Sequence, residues 1–135
     1  RKLVDYNRDT GMDDLVFSVA DRDLKSLEAM IRVQVREHAS PVSYLRAIQR
    51  YFGRIYQVRL EMAKGMDAEI AVNALKPKVF YKHIPIMIRH ANLWGLDQLV
   101  TAIFQLVEAE KVCKTSDMPI EAASSRKLFQ ITQIL

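Results

Sequence analysis

The stretch LDQLVTAIFQLVEAEKVCK, Leu96–Lys114, decides the fold class. Leu96, Leu99, Val100, Ile103, Leu106 and Val107 recur at three- and four-residue spacing, which puts them on one continuous apolar face of a helix. Alternation of period two, the mark of a half-buried strand, is absent here and over any sustained run elsewhere. Glu110 and Lys114 stand four apart with the acid first, an order that supports a helix by about a few tenths of a kcal/mol.

The same periodicity continues outward in both directions. It predicts helices over Asp13–Ala20, with Leu15, Val16 and Val19 inward, and over Asp23–Glu37, with Leu24, Leu27, Met30, Ile31 and Val35 on one side. A third helix, Pro41–Met62, carries the stripe Leu45, Ile48, Phe52, Ile55 and Met62. Ser40 is placed to cap it and Pro41 suits its first turn. Lys64-Gly65 closes it, glycine supplying the left-handed conformation of many helix ends. A short helix over Asp67–Leu75 stops at Lys76-Pro77. The next begins at Tyr81–Pro85 and runs to Asn92, with Ile84, Met87, Ile88 and Ala91 inward. After Leu96–Lys114, a last helix from Pro119 to Ile134, capped by Ser116 or Asp117, presents Leu128, Ile131 and Leu135. The expected fold is all-α: one compact bundle of six or seven helices with short connections, a single domain over residues 1–135.

Composition narrows the function classes. Half of the 135 residues are apolar and 27% are charged, which suits a globular chain with one core. The net charge of +4 favours acidic partners without demanding nucleic acid. No run of about 18 apolar residues is present, so no membrane span is expected. Cys113 is the only cysteine, which excludes an internal disulfide and points to a reducing cytoplasm. A chain that opens on Arg1 rather than Met reads as a fragment of a longer protein.

A catalytic, cofactor or metal motif is not found. Lys114-Thr115-Ser116 lacks the glycines of a phosphate-cradling loop, and no GxGxxG, HExxH or paired cysteines occur. His83 and His90, seven apart, would lie roughly 10 Å from one another along a helix, too far to share one metal ion. They read as exposed or partly packed side chains, His38 as a turn residue, and Cys113 as a small buried or half-buried apolar one. The expectation is a non-enzyme with no cofactor and no metal.

Two basic features remain. Arg46, Arg50 and Arg54 repeat every fourth residue, opposite much of the apolar stripe of the third helix. They are either a solvated face or a contact for phosphate or for the carboxylates of a neighbouring subunit. The segment Ala71–Gly95 contains no Asp or Glu and mixes Lys76, Lys78 and Lys82 with Phe80, Tyr81 and Trp94. Phe80 and Trp94 suit core anchors, with the lysines keeping a loop wet. Equally, lysines beside consecutive aromatics combine charge with stacking surface, as single-stranded nucleic acid requires.

Three segments, in this order and spacing, resemble a known family. EHASPVSYLRAIQRYFGRIYQVR (Glu37–Arg59) is a bend and proline before a long apolar-basic helix. LKPKVFYKHIPIMIRHANLW (Leu75–Trp94) is a proline, an aromatic pair and a basic residue before a helix closing on tryptophan. LDQLVTAIFQLVEAEKVCKTSDMP (Leu96–Pro119) is a long helix ending in Ala-Glu, then Lys-Thr-Ser. Together they resemble the C-terminal helical domain of the DNA polymerase III delta subunit, a bacterial clamp-loader protein. His38 and Ala39 stand where that family commonly has an acid and a glycine.

The resemblance implies a collar domain that packs beside equivalent domains of other clamp-loader subunits, supporting the loading of a sliding clamp onto primed DNA. It implies no ATP hydrolysis here, and contact with the clamp only through an N-terminal part of the longer protein. Arg46, Arg50, Arg54 and Trp94 are then expected at the subunit interface. Lys76, Lys78, Phe80, Tyr81 and Lys82 are expected to touch primed or single-stranded DNA. The alternative is a stand-alone helical domain that binds nucleic acid.

Overall fold

The computed structural model describes residues 12–115 and 120–135. Among them lie seven α-helices, one turn of 3-10 helix and no strand: α1 (residues 12–20), α2 (Leu24–Arg36), α3 (Pro41–Ala63), α4 (Ala68–Asn73), the 3-10 turn Tyr81–His83, α5 (Ile84–Leu93), α6 (Leu96–Thr115) and α7 (Ile120–Thr132). The all-α expectation holds, with boundaries within a residue or two of those read from periodicity. The expected start of the last helix at Pro119, and its caps Ser116 and Asp117, lie outside the described residues.

The connections follow from local chemistry. Asp23 caps α2 by accepting the Ser26 backbone N–H at 3.1 Å and the Ser26 hydroxyl at 2.8 Å. His38, at φ +57°, makes the bend before Pro41. Ser40 sits at the start of α3 in extended backbone but its side chain makes no capping bond, so proline at the first turn carries that start alone. Gly65 takes φ +104° beyond the end of α3, where a side chain would be strained.

Helix α3 is the spine. It packs most extensively on α6 and also touches α4, α5 and α7, while α2 lies against α7. The core runs through Leu15, Val19, Leu27, Leu45, Ile48, Phe52, Ile55, Leu99, Leu106, Leu128 and Ile131, all fully buried. Tyr44 joins them, its hydroxyl sharing a buried 2.8 Å hydrogen bond with Ser124 of α7.

Two buried faces are rotated from expectation. On α2 the inward residues are Leu27, Ile31 and Gln34, and both Leu24 and Val35 are exposed. Among the described residues α7 packs against this helix, and the part of its wide apolar arc at Leu24 and Val35 stays open. On α6 the inward row is Leu99, Ala102, Leu106, Ala109 and Cys113. Val100 is 52% exposed, so the single face expected for α6 divides into a buried side and an open one.

Trp94, between α5 and α6, forms a corner of the core. Its indole N–H donates to the Ala20 carbonyl at 2.8 Å, Phe52 meets it edge-on with centroids 4.9 Å apart, and the Arg22 guanidinium lies 3.8 Å above the ring centroid. The same guanidinium donates to the Thr132 and Ile134 carbonyls, holding the end of α7 to the turn after α1.

Candidate functional site

The 76–83 segment crosses the outside of α3 because Arg54 holds it there, its Nη2 donating to the Pro77 carbonyl at 2.5 Å. Between this segment, α1, α3 and the start of α5 opens a groove of about 680 Å³. Val16 and Met87 are buried beneath it, Phe17 and Val79 half-buried along it, and Arg50, Arg54 and Lys78 bring positive charge to it. Aromatic rings run through the site in edge-to-face steps. Tyr51 meets Phe17 at 5.4 Å, Phe17 meets His83 at 5.1 Å, His83 meets Phe80 at 5.2 Å and Phe80 meets Tyr81 at 5.0 Å. The outer end of the series is open, Phe80 being 53% and Tyr81 68% exposed. Lys76, Lys78 and Lys82 are exposed around it.

The three arginines spaced four apart on α3 have three different fates. Arg46 is paired in the chain, its Nε donating to Glu110 at 2.9 Å across to α6. Arg54 is half-buried on Pro77, and Arg50 reaches the groove exposed. The structure thus brings Arg50 and Arg54 to Lys78 and Phe80, residues that the sequence assigned to a separate contact. Trp94 corrects its expected place at a subunit interface. It has no exposed surface, because its polar edge is satisfied by Ala20 and its faces are covered within the chain.

Behind Tyr51 lies a polar chain that sequence reading missed. The Tyr51 hydroxyl and His90 Nδ1 are 2.6 Å apart, His90 Nε2 and Asp21 Oδ1 are 2.6 Å apart, and Arg89 donates to the same Asp21 oxygen at 2.7 Å. His90 is wholly buried, not the exposed or partly packed residue expected. The available signal was its position in the row Met87, His90, Ala91, the inward face of α5. Burial lowers the His90 pKa, opposed by the hydrogen bond and charge of Asp21. Burial, with Asp21 nearby, raises that of Tyr51 far above the usual phenol value. Tyr51 therefore stays a protonated phenol at ordinary pH and offers the groove neither a base nor a nucleophile. His83 stands apart from this chain, on the 3-10 turn, with Nε2 at 3.9 Å from Asp13.

Glu110 is the other strongly perturbed group. It accepts from Gln49 at 2.9 Å, Lys114 at 3.0 Å and Arg46 at 2.9 Å, and these bonds hold its carboxyl down at about 2. The expected pair with Lys114 is present as part of this larger cluster. Among the described residues no three His, Cys, Asp or Glu side chains gather to hold a metal ion, and no helix is long and apolar enough to cross a membrane.

No protein-family model matches the chain, and no curated protein matches it. Among solved structures it is similar to the Bacillus subtilis DNA clamp loader delta protein (YqeN), with a TM-score of 0.74 at 17% sequence identity. The match covers 91% of this chain and 36% of that one, so the chain spans about a third of that protein's length. The chain is therefore similar in fold to part of a DNA clamp loader delta protein.

Proposed function

We propose that this chain is the subunit-assembly domain of a delta-type clamp-loader protein in the cytoplasm. In this reading it packs beside the helical domains of other clamp-loader subunits and holds them in place while a sliding clamp is loaded onto primed DNA. It does no chemistry of its own, and contact with the clamp belongs to parts of the longer protein outside these residues. The likeness in fold supports the reading, and one observation carries it: α6 is apolar on two sides. Its inner row fills the core, while Val100 and Phe104, one turn apart, are 52% and 63% exposed. Single exposed apolar residues are ordinary; a stripe beside half-buried Ile103 and Val107 is surface that gains from a cover.

The test is assembly of the full-length protein with its partner subunits on a sizing column. Val100→Asp with Phe104→Asp should abolish co-elution while circular dichroism stays helical, because both side chains lie outside the core. Undiminished assembly by the double variant would refute the reading.

A second reading, contact with single-stranded DNA by Lys76, Lys78, Phe80, Tyr81 and Lys82, is favoured by the exposure of Phe80 and Tyr81 among three exposed lysines. It is compatible with the first, since the two surfaces belong to different elements.

A further inference from the structure

The α3–α6 pair is covered on one side and open on the other. Helix α7 covers the first side, where Ser124 meets Tyr44. The two helices run antiparallel, since Arg46 and Gln49 reach Glu110 while Phe52 meets Trp94, just before α6 begins. On the open side α3 shows Gln49, Gly53, Tyr56 and Leu60, spaced four, three and four apart. Running the other way, α6 shows Leu96, Val100, Ile103 and Val107 at the same spacing. A 3.5-residue period of this kind keeps a stripe turned toward a partner helix along its length. Each of these residues is half-buried or exposed.

Gly53 is the residue that the chain itself does not explain. It lies in the middle of α3, where glycine weakens a helix relative to alanine. A methyl group there would meet no other part of the chain within 4 Å, so nothing inside the bundle calls for its absence. What a bare α-carbon permits is the approach of another helix closer than side chains allow. Charge gives the seam a direction. Arg46 and Lys114, each about half exposed, share the single carboxylate of Glu110, so that end stays positive. The far end holds Leu60 and Leu96, with the exposed Asp97 beside them.

We propose that one helix of a neighbouring subunit lies along this seam, closest to α3 at Gly53, with an apolar face over Val100 and Ile103 and carboxylates over Arg46 and Lys114. The proposal rests on the subunit-assembly reading and extends it from the outer stripe of α6 to α3. A helix fits where a strand does not, because the described residues offer no sheet edge to extend. Glu110 acts as a positioning residue, holding both cations at the mouth of the seam.

The experiment is a fluorescence titration of the labelled full-length protein with its purified partner subunits. Gly53→Leu should weaken association by about tenfold or more, because the side chain fills the space of closest approach. The same variant should keep or raise the thermal midpoint, since leucine is the better helix former. Ser43→Leu, exposed on α3 away from the seam, should change affinity by less than about twofold. Lys114→Gln should weaken association and reduce its loss in salt; an unchanged salt response would overturn the acidic contact. If Val100→Asp with Phe104→Asp abolishes assembly while Gly53→Leu does not, this seam is empty and the subunit-assembly reading stands. If neither variant matters, both are wrong. A dimer of the full-length protein alone that Gly53→Leu breaks would make the occupant a second copy and overturn the neighbouring subunit.

Discussion

A tryptophan that closes a basic, aromatic segment just before a glycine has the look of an interface anchor. What decides its role is 74 residues away in sequence, at the Ala20 carbonyl, and no local pattern reveals it. Trp94 instead satisfies a donor, covers Phe52 and supports Arg22 from inside the chain. Trp94→Ala should therefore act on stability and not on recognition, lowering the unfolding free energy by about 3–5 kcal/mol in a urea titration. A loss below about 1 kcal/mol would show that the corner is not packed as described.

At the scale of elements, the α3–α6 pair is joined through Glu110. Its carboxyl is held at about 2, below the ordinary value near 4.5, so its contribution to stability is complete above pH 4.5 and is lost as the pH falls from there toward 2. Glu110→Gln should lower the thermal midpoint at pH 7 and flatten its decline between pH 4.5 and 2, measured by circular dichroism. Parallel acid titrations of the two proteins would contradict this. Half of the cluster was legible: Glu110 and Lys114 are neighbours on one helix. Arg46 and Gln49 were not, since they enter from α3 only after the two helices pack. The buried face of α6 was misplaced for a related reason. Periodicity counts large apolar residues, whereas the buried row of α6 includes the small side chains Ala102, Ala109 and Cys113.

For the whole molecule, one ring links three helices. His90 of α5 bonds to Tyr51 of α3 and to Asp21 just beyond α1. Its folded pKa lies below its ordinary value near 6.5, so the unfolded chain binds the proton more readily. Stability should be complete above about pH 6.5 and decline below it, beginning at a higher pH than the loss tied to Glu110. His90→Gln, which removes the titrating group, should show little change in urea midpoint between pH 7.5 and 5.5, where the parent chain loses stability. Equal slopes would sink this account. Helix number, order and approximate ends were all readable, because each rests on spacing within one segment. The groove was readable only as two unrelated basic features, because the hydrogen bond from Arg54 to Pro77 that unites them spans 23 residues.

The hold of Arg22 on the carbonyls of Thr132 and Ile134 crosses 110 and 112 positions of the chain. During synthesis the first two turns of the bundle emerge long before the strand of peptide that fastens them. Until α7 leaves the ribosome, the guanidinium over Trp94 has no carbonyls to grip, and α2 lacks the helix it lies against. Closure of this domain is thus a late event on the ribosome, and a nascent chain stopped short of residue 132 would be a bundle without its buckle.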